Sequence, residues 1–301
     1  MIELDFIQTA ILRTLVYSGI FDYPLTPEEI FLYLIGNKSY SQQEINGSLG
    51  DLSRLGLIGE REGFFFLKNR EVICDLREKR QKWSEEKLIK VKNWVWLFRL
   101  IPWIRLVAVT GAVAAGNADE NSDIDLMIIA NSKRIWLTRF LVLGLLKILG
   151  LRVDLKRKLT ANRFCVNLFI ADNCLEYPQK NLYTANEIIR IKSIFERNNF
   201  YQRFLAENQW VLGFLLNFSL RGPLARQGDP SQKDGQPVPL SGTGLGDYFE
   251  KLTRSWQIKI IRRNFPQTID IGDEDLVSFQ PNDCSRRILD EFQKREKQAS
   301  P

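Results

Sequence analysis

Residues 106–129 read LVAVTGAVAAGNADENSDIDLMII, and this stretch decides the fold. An apolar run ends at Thr110, Gly111 follows, and a second apolar run begins at Ile124. Both runs are short, contain β-branched residues and are bounded by turn-forming residues, which is typical of buried strands. Glycine allows the backbone to turn sharply. The stretch therefore predicts two buried strands joined through a glycine turn.

Two acidic residues, Asp123 and Asp125, lie at the start of the second strand. Successive side chains of a strand point to opposite faces, so these two carboxylates share a face while Ile124 and Leu126 point into the core. Neighbouring carboxylates repel each other unless a cation lies between them, and Mg²⁺ (or Mn²⁺) prefers oxygen ligands together with substrate phosphates. The free backbone N–H groups of the turn at Gly111 would hold phosphate. The pattern indicates a site for a divalent metal and a triphosphate.

The spacing of these residues resembles the fingerprint of the DNA polymerase beta-like nucleotidyltransferase superfamily, in particular its minimal nucleotidyltransferase branch. The resemblance comprises Gly111-Ala112, ten intervening residues, and Asp123-Ile124-Asp125 followed by hydrophobic residues. It implies that Asp123 and Asp125 are catalytic metal ligands, and that a nucleoside monophosphate is transferred from an NTP to a hydroxyl. The nucleotide-binding residues that the resemblance implies are Gly111, Ala112, Gly116, Asn117 and Ser122.

The sequence departs from this family pattern at two positions. Ala112 stands where the family has a serine whose hydroxyl bonds a phosphate. The family's third carboxylate belongs on a later strand, and the matching strand at 164–170 carries Asn167 in that place. An amide cannot accept a proton as a base, although it can ligate metal weakly or bond a sugar hydroxyl. Two alternatives follow: the chain is slow or catalytically silent, or Asp154 or Asp172 supplies the missing group.

The composition restricts the classes of function. Across the whole sequence there is no histidine, which removes Ser-His-Asp catalysis, Cys-His catalysis and histidine-ligated zinc. The N-terminal residues lack the basic and apolar regions of a signal peptide. The most apolar helical stretch, at about 140–151, is shorter than the ~20 residues that span a bilayer. We therefore expect a cytoplasmic protein without a membrane partner, whose chemistry relies on carboxylates and metal.

Residues 1–69 predict a winged-helix-like domain. Three helical segments, the second and third with capping signals at Thr26 and Ser41, precede a hairpin around Glu62-Gly63. The third helix offers only Arg54 as a cation, although phosphate neutralisation dominates affinity for nucleic acids. DNA binding by residues 1–69 is therefore less favoured than a protein contact or a structural role.

The rest of the chain completes an α+β prediction: an N-terminal winged helix, a small mixed-sheet nucleotidyltransferase domain and a helical C-terminal region. Residues 70–100 predict a long basic connecting helix, and residues 101–178 the nucleotidyltransferase domain. Residues 179–301 predict the helical region, with a helical pattern at 184–217 and a flexible segment at 222–246 that is rich in glycine and proline. A basic stretch expected near the metal site comprises Arg152, Lys156, Arg157, Lys158 and Arg163.

These observations lead to two hypotheses from different classes. The first is a metal-dependent nucleotidyltransferase whose partners are an NTP and a hydroxyl acceptor on RNA, a protein or a small molecule. The second is a regulatory protein, either a catalytically weak or inactive nucleotide-binding protein or a winged-helix DNA-binding regulator. The missing third acid and the alanine at position 112 favour the nucleotide-binding form of the second hypothesis.

Overall fold

The computed structural model describes residues 4–154, 159–218, 244–264, 270–271, 276–278 and 282–299. The helices are α1 (Phe6–Gly19), α2 (Pro27–Leu32), α3 (Gln42–Arg54), α4 (Val72–Arg99), α5 (Gly111–Ala114), α6 (Ile135–Ile148), α7 (Leu182–Arg190), α8 (Phe200–Glu207), α9 (Gly244–Asn264) and α10 (Asn282–Ala299). The strands are β1 (Ile58–Arg61), β2 (Phe64–Leu67), β3 (Ile104–Val109), β4 (Ile124–Ala130), β5 (Phe164–Ala171), β6 (Lys192–Glu196), β7 (Asp270–Ile271) and β8 (Leu276–Ser278).

The centre of the molecule is a mixed sheet with the strand order β6-β3-β4-β5-β8-β7. Strand β3 is antiparallel to both β4 and β6, and β4 is parallel to β5. Strand β8 pairs antiparallel with β5 and with β7. A mixed sheet surrounded by helices confirms the α+β fold class, and the helical C-terminal region is present.

The two faces of the sheet have separate cores. Val107, Val109, Leu126 and Ile128 face a core that includes residues of α4, α6 and α9. Leu106, Ala108, Met127 and Ile129 face a second core that includes residues of α7, α8 and α10. The alternation follows from the period of two along a strand. As predicted, Ile124 and Leu126 are fully buried.

The N-terminal part contains the predicted three helices and the hairpin. Thr26 and Ser41 each form the expected capping box, and Glu62 and Gly63 adopt positive φ in the turn between β1 and β2. The cation of α3, Arg54, forms an ion pair with Asp51 on the same helix. The order of elements agrees with the prediction, while the winged-helix assignment and its DNA-binding role stay predictions.

Helix α4 is the long connecting helix that the sequence predicts, and it fixes the loop between α5 and β4. Its buried polar side chains Arg77, Ser84 and Lys87 all donate to or accept from the main chain of that loop. Within the described ranges, no helix has the length and hydropathy that crossing a membrane requires.

One sequence prediction about the C-terminal half is wrong, and a second is wrong at its last three residues. The pattern at 184–217 is not one helix, because Lys192–Glu196 forms strand β6 at the edge of the sheet. The edge of β3 needs partners for its backbone groups, and this tertiary requirement outweighs the local helical pattern. Of the predicted flexible segment, residues 244–246 begin helix α9. Residues 222–243 of that segment, and Lys156, Arg157 and Lys158 of the basic stretch, lie outside the described residues.

Candidate metal and nucleotide site

Two parallel strands place four polar side chains at one end of the sheet. Asp123 directly precedes β4, and Asp125 is the second residue of that strand, in register with Cys165 of β5. Asn167 follows two residues after Cys165. One ligand atom from each of Asp123, Asp125 and Cys165 lies within 4.8 Å of the others. The structure therefore joins the predicted pair of acids to a thiol and an amide from the next strand.

The glycine turn is in direct contact with this cluster. Gly111 has φ +63°, and a Cβ atom added there would lie 2.7 Å from Oδ2 of Asp125. The N–H of Thr110 donates to the carbonyl of Asp125 at 3.0 Å, which ties the end of β3 to β4. Only glycine fits both the left-handed backbone and this close approach. Ala112 is exposed on α5, next to the turn.

Burial and like charge shape the electrostatics of the cluster. Burial raises the pKa of Asp125 to about 7, with further contributions from the negative charges of Asp123 and Glu187. Burial also raises the pKa of the Cys165 thiol, and the two aspartates add to that shift. A bound cation would favour the charged carboxylates and offset their repulsion. The donor set of two carboxylates, an amide and a thiol therefore fits a divalent cation.

Asn167 contacts the cluster through its amide. Its Nδ2 donates to Oδ1 of Asp125 at 2.8 Å. Its Oδ1 is buried and has no hydrogen-bond partner among the described residues. A buried amide oxygen beside two carboxylates is free to accept from a ligand or to approach a cation. The side chain is in the predicted place but offers no proton acceptor of carboxylate strength.

The two acids considered as replacements for the third carboxylate lie elsewhere. Asp172 follows the far end of β5, seven residues after Cys165, or roughly 20 Å along a strand. There it accepts from the N–H of Ser132 at 3.0 Å and pairs with Arg105. Asp154 forms a bridge with Leu159 and acts on the charge of Arg152, but it is not part of the cluster of Asp123, Asp125 and Cys165. The structure therefore brings neither acid into the cluster of Asp123 and Asp125.

A third acid that the sequence did not indicate, Glu187 of α7, lies at the glycine turn. Burial raises the pKa of the Glu187 carboxyl, while the charge of Arg190 and the backbone N–H of Gly111 oppose the shift. The contact joins residues 76 positions apart, so no short-range spacing could have revealed it.

Two residues predicted to bind nucleotide contact α4 and the N-terminal part. The carbonyl of Gly116 accepts from Arg77 at 3.2 Å, and Oδ1 of Asn117 accepts from Arg80 at 3.1 Å. Nδ2 of Asn117 donates to the carbonyl of Phe21 at 3.0 Å. These contacts hold the loop that precedes the aspartates, so a direct role in nucleotide binding stays a prediction for both residues.

Ser122 and the buried Lys87 stabilise the same loop. The N–H of Asp119 donates to Oγ of Ser122 at 3.0 Å. Nζ of Lys87 donates to the carbonyls of Glu120 and Ser122, each at 3.0 Å, and to Oδ1 of Asn162 at 2.6 Å. Burial lowers the pKa of Lys87, whereas the charges of nearby acids oppose the shift. Lys87 therefore helps to position the loop that leads into Asp123.

The described part of the basic stretch reaches the cluster through one residue. The charge of Arg152 acts on the Cys165 thiol and favours its charged form. Arg163 donates instead to the main chain at Gly150 and Arg152. Positive charge near the metal site is therefore present, as predicted, at Arg152.

Comparison with known families agrees with this geometry. Residues 94–181 match the family model of the nucleotidyltransferase domain, a range that includes the glycine turn, both aspartates and Asn167. This part of the chain is therefore a nucleotidyltransferase domain, as the spacing of its motif predicts. Such domains use NTP substrates and typically divalent metals. Searches of curated proteins and of solved structures gave no significant match.

Proposed function

We propose that this protein is a metal-dependent nucleotidyltransferase that uses Mg²⁺ or Mn²⁺ to transfer a nucleoside monophosphate from an NTP to a hydroxyl acceptor. The acceptor is a hydroxyl of RNA, a protein or a small molecule. One observation carries the proposal: a Cβ atom on Gly111 would meet Asp125 at 2.7 Å. The turn for phosphate and the carboxylates for metal are thus in direct contact, as the joint binding of a metal and a nucleotide requires.

The reaction exchanges one phosphate ester bond for another. The acceptor hydroxyl oxygen forms a bond to the α-phosphorus while the bond from that phosphorus to the oxygen bridging the β-phosphate breaks. Pyrophosphate leaves with the electron pair, and the hydroxyl proton passes to solvent. Asp123 and Asp125 would hold the cation, which when bound offsets charge on the phosphate oxygens and the leaving group.

The strand position of Asn167 predicts a slow reaction. A side chain that accepts the hydroxyl proton is typically worth ~10²–10⁴ in rate, and an amide does not supply this help. Asn167 instead donates to Asp125 and so favours the charged form of that carboxylate. Its function in the proposal is to orient a metal ligand.

A transfer assay with a matched pair of variants tests the proposal. Purified protein is incubated with each of the four radiolabelled NTPs, Mn²⁺ or Mg²⁺, and cell extract, and labelled macromolecules and released pyrophosphate are measured. Asp123→Asn removes one carboxylate of the cluster. Asp119→Asn makes the same chemical change at an exposed position of the same loop. We expect Asp123→Asn to abolish label transfer and Asp119→Asn to retain it, whereas equal transfer by both variants refutes the proposal.

A nucleotide-binding regulatory protein is the second candidate. One observation favours it: Asn167, an amide that donates to Asp125, stands in place of an acid. This candidate predicts tight binding of NTP with a divalent cation, without label transfer or pyrophosphate release. The same assay, combined with a calorimetric binding titration, distinguishes the two functions.

A further inference from the structure

Cys165 is held beside the two aspartates by the register of the sheet. It is the Cα partner of Asp125 on the parallel strand β5. Neighbouring strands lie about 4.7–4.9 Å apart, and residues that are partners in register have side chains on the same face. One carboxylate oxygen from each of Asp123 and Asp125 and the Sγ atom of Cys165 all lie within 4.8 Å of one another. The sulfur therefore lies where a third ligand of a cation between the two carboxylates would be.

The spacing of these atoms is close to that of ligands around one cation. Zn²⁺ binds thiolate sulfur at about 2.3 Å and carboxylate oxygen at about 2.0–2.2 Å, so the ligands of a tetrahedral site lie roughly 3.4–3.6 Å apart. Asn167 belongs to the same cluster, because its Nδ2 donates to Oδ1 of Asp125 at 2.8 Å. Its Oδ1 is buried and has no hydrogen-bond partner among the described residues. The cluster thus offers two carboxylates, a sulfur and an unpaired amide oxygen.

The other three cysteines have different surroundings. Cys74 is buried in a separate apolar cluster with Phe66 and Ile73. Cys174 and Cys284 are exposed. Among the residues that the structure describes, Cys165 is the cysteine that belongs to a group with metal-ligand spacing. It is thus the residue through which sulfur can act on a cation at this cluster.

Sulfur changes which cations such a cluster prefers. Mg²⁺ takes oxygen ligands in near-ideal octahedral geometry and gains little from a thiol. Thiolate ligands favour Zn²⁺ and other softer ions, and ligand type sets selectivity beyond the general order of metal affinities. A third carboxylate would have suited Mg²⁺, whereas Cys165 adds a soft ligand beside the two aspartates. The donor set therefore favours a cation that binds sulfur.

We propose that Cys165 is a metal ligand that makes the cluster select a thiophilic divalent cation, of the class of Zn²⁺ and Co²⁺, over Mg²⁺. The inference rests on the proposed function, because the cation is the one that Asp123 and Asp125 would hold. On binding, a metal–sulfur bond replaces the S–H bond, the proton passes to solvent, and neither sulfur nor metal changes its oxidation state. Mg²⁺ and Mn²⁺ bind through the oxygen ligands, without help from the sulfur.

A Co²⁺ titration tests the role of Cys165 without depending on activity. A cobalt–thiolate bond gives an intense charge-transfer absorption in the near ultraviolet, which oxygen ligands do not give. The full-length wild type should develop this absorption until one Co²⁺ is bound per chain, and Cys165→Ser should lack it. Calorimetry should show that Cys165→Ser lowers the affinity for Zn²⁺ by about 100-fold, the share of one ligand in a four-ligand zinc site. The affinity for Mg²⁺ should stay within about twofold.

Matched variants separate this role from a structural one. Cys174→Ser makes the same chemical change at an exposed position beyond the far end of β5 and should keep the absorption and all affinities. Asp125→Asn should weaken Co²⁺ binding by at least about tenfold, because the sulfur and the carboxylate hold one ion. Cys165→Ala replaces Cys165→Ser if circular dichroism shows that the latter is unfolded. The inference is overturned if the wild type lacks the absorption, if Cys165→Ser retains it, or if the affinities for Zn²⁺ and Mg²⁺ fall equally.

The four NTPs with Mn²⁺ distinguish failure of this inference from failure of the proposed function. If the wild type binds at least one NTP together with Mn²⁺ but shows no cobalt–sulfur absorption, only the role of Cys165 is wrong. If the wild type binds none of the four and no divalent cation, the metal site itself is wrong and the inference falls with it.

Discussion

Replacement of Gly111 by alanine is the change whose consequences the structure specifies most closely. A non-glycine residue at φ +63° costs about 1–2 kcal/mol in backbone strain. The added Cβ would lie 2.7 Å from Oδ2 of Asp125, so this carboxylate must move, and its hydrogen bond from Asn167 is put at risk. Loss of that bond adds about 1–2 kcal/mol. We expect the free energy of unfolding to fall by about 2–4 kcal/mol in total.

Gly63→Ala is the matched control for this prediction. Gly63 has φ +80°, and no described atom lies within 4 Å of its added Cβ, so only the backbone strain applies. Urea unfolding should show a loss of about 1–2 kcal/mol for Gly63→Ala, and a Mn²⁺ titration should show wild-type affinity. Gly111→Ala should lose at least about tenfold in Mn²⁺ affinity because a metal ligand is displaced. If the two variants are equally stable and bind Mn²⁺ alike, the proposed contact of the turn with Asp125 is refuted.

Three further predictions concern the charges of the site and its supporting loop. The pKa of Asp125 is about 7 in the folded protein, whereas its ordinary value is 3.8. Between pH 4 and pH 7 the metal-free folded state therefore binds more protons than the unfolded state. The free energy of unfolding should therefore fall by at most about 4 kcal/mol as pH rises from about 4 to 7. Urea titrations at several pH values measure this dependence, and Asp125→Asn should flatten it. Lys87→Met removes the three hydrogen bonds that Lys87 donates around the loop before Asp123. We expect the free energy of unfolding to fall by about 2–3 kcal/mol and Mn²⁺ to bind more weakly. Unchanged Mn²⁺ binding would show that Lys87 does not position the aspartate. Arg77→Met leaves Glu29 without the ion pair that the two side chains make at 2.7 Å. Differential scanning calorimetry should show that the free energy of unfolding falls by about 3–5 kcal/mol. A stability within about 1 kcal/mol of wild type would contradict the account of this buried contact.

The sequence predicts those parts of the molecule that local signals determine. Capping boxes at Thr26 and Ser41 define where α2 and α3 begin, and the short apolar run after Asp125, which is buried on both faces, marks β4. The pair Asp123 and Asp125 is recognisable because a strand has a period of two and glycine precedes it at a fixed interval. These signals act within a few residues, so they can be recognised in the sequence without knowledge of the tertiary structure.

The features that sequence analysis missed depend on long-range packing. Strand β6 forms because β3 offers an unpaired edge, although the residues at 192–196 lie within a helical pattern. Helix α7 with Glu187 lies beside the glycine turn because it packs against α5, and Cys165 joins the aspartates through the register of β4 with β5. In the same way, the buried contacts of Arg77 and Lys87 cannot be distinguished by sequence from a solvated face of α4.

A paramagnetic titration tests the central claim most directly, namely that a divalent cation binds between Asp123 and Asp125 beside the glycine turn. Mn²⁺ is added in substoichiometric steps to ¹⁵N-labelled protein in the presence of a non-hydrolysable NTP analogue, and the broadening of each amide resonance is recorded. The account predicts that broadening begins at Gly111, Asp123, Asp125 and Cys165 and is lost in Asp125→Asn. Broadening that is centred elsewhere, or that is the same in Asp125→Asn, would contradict it.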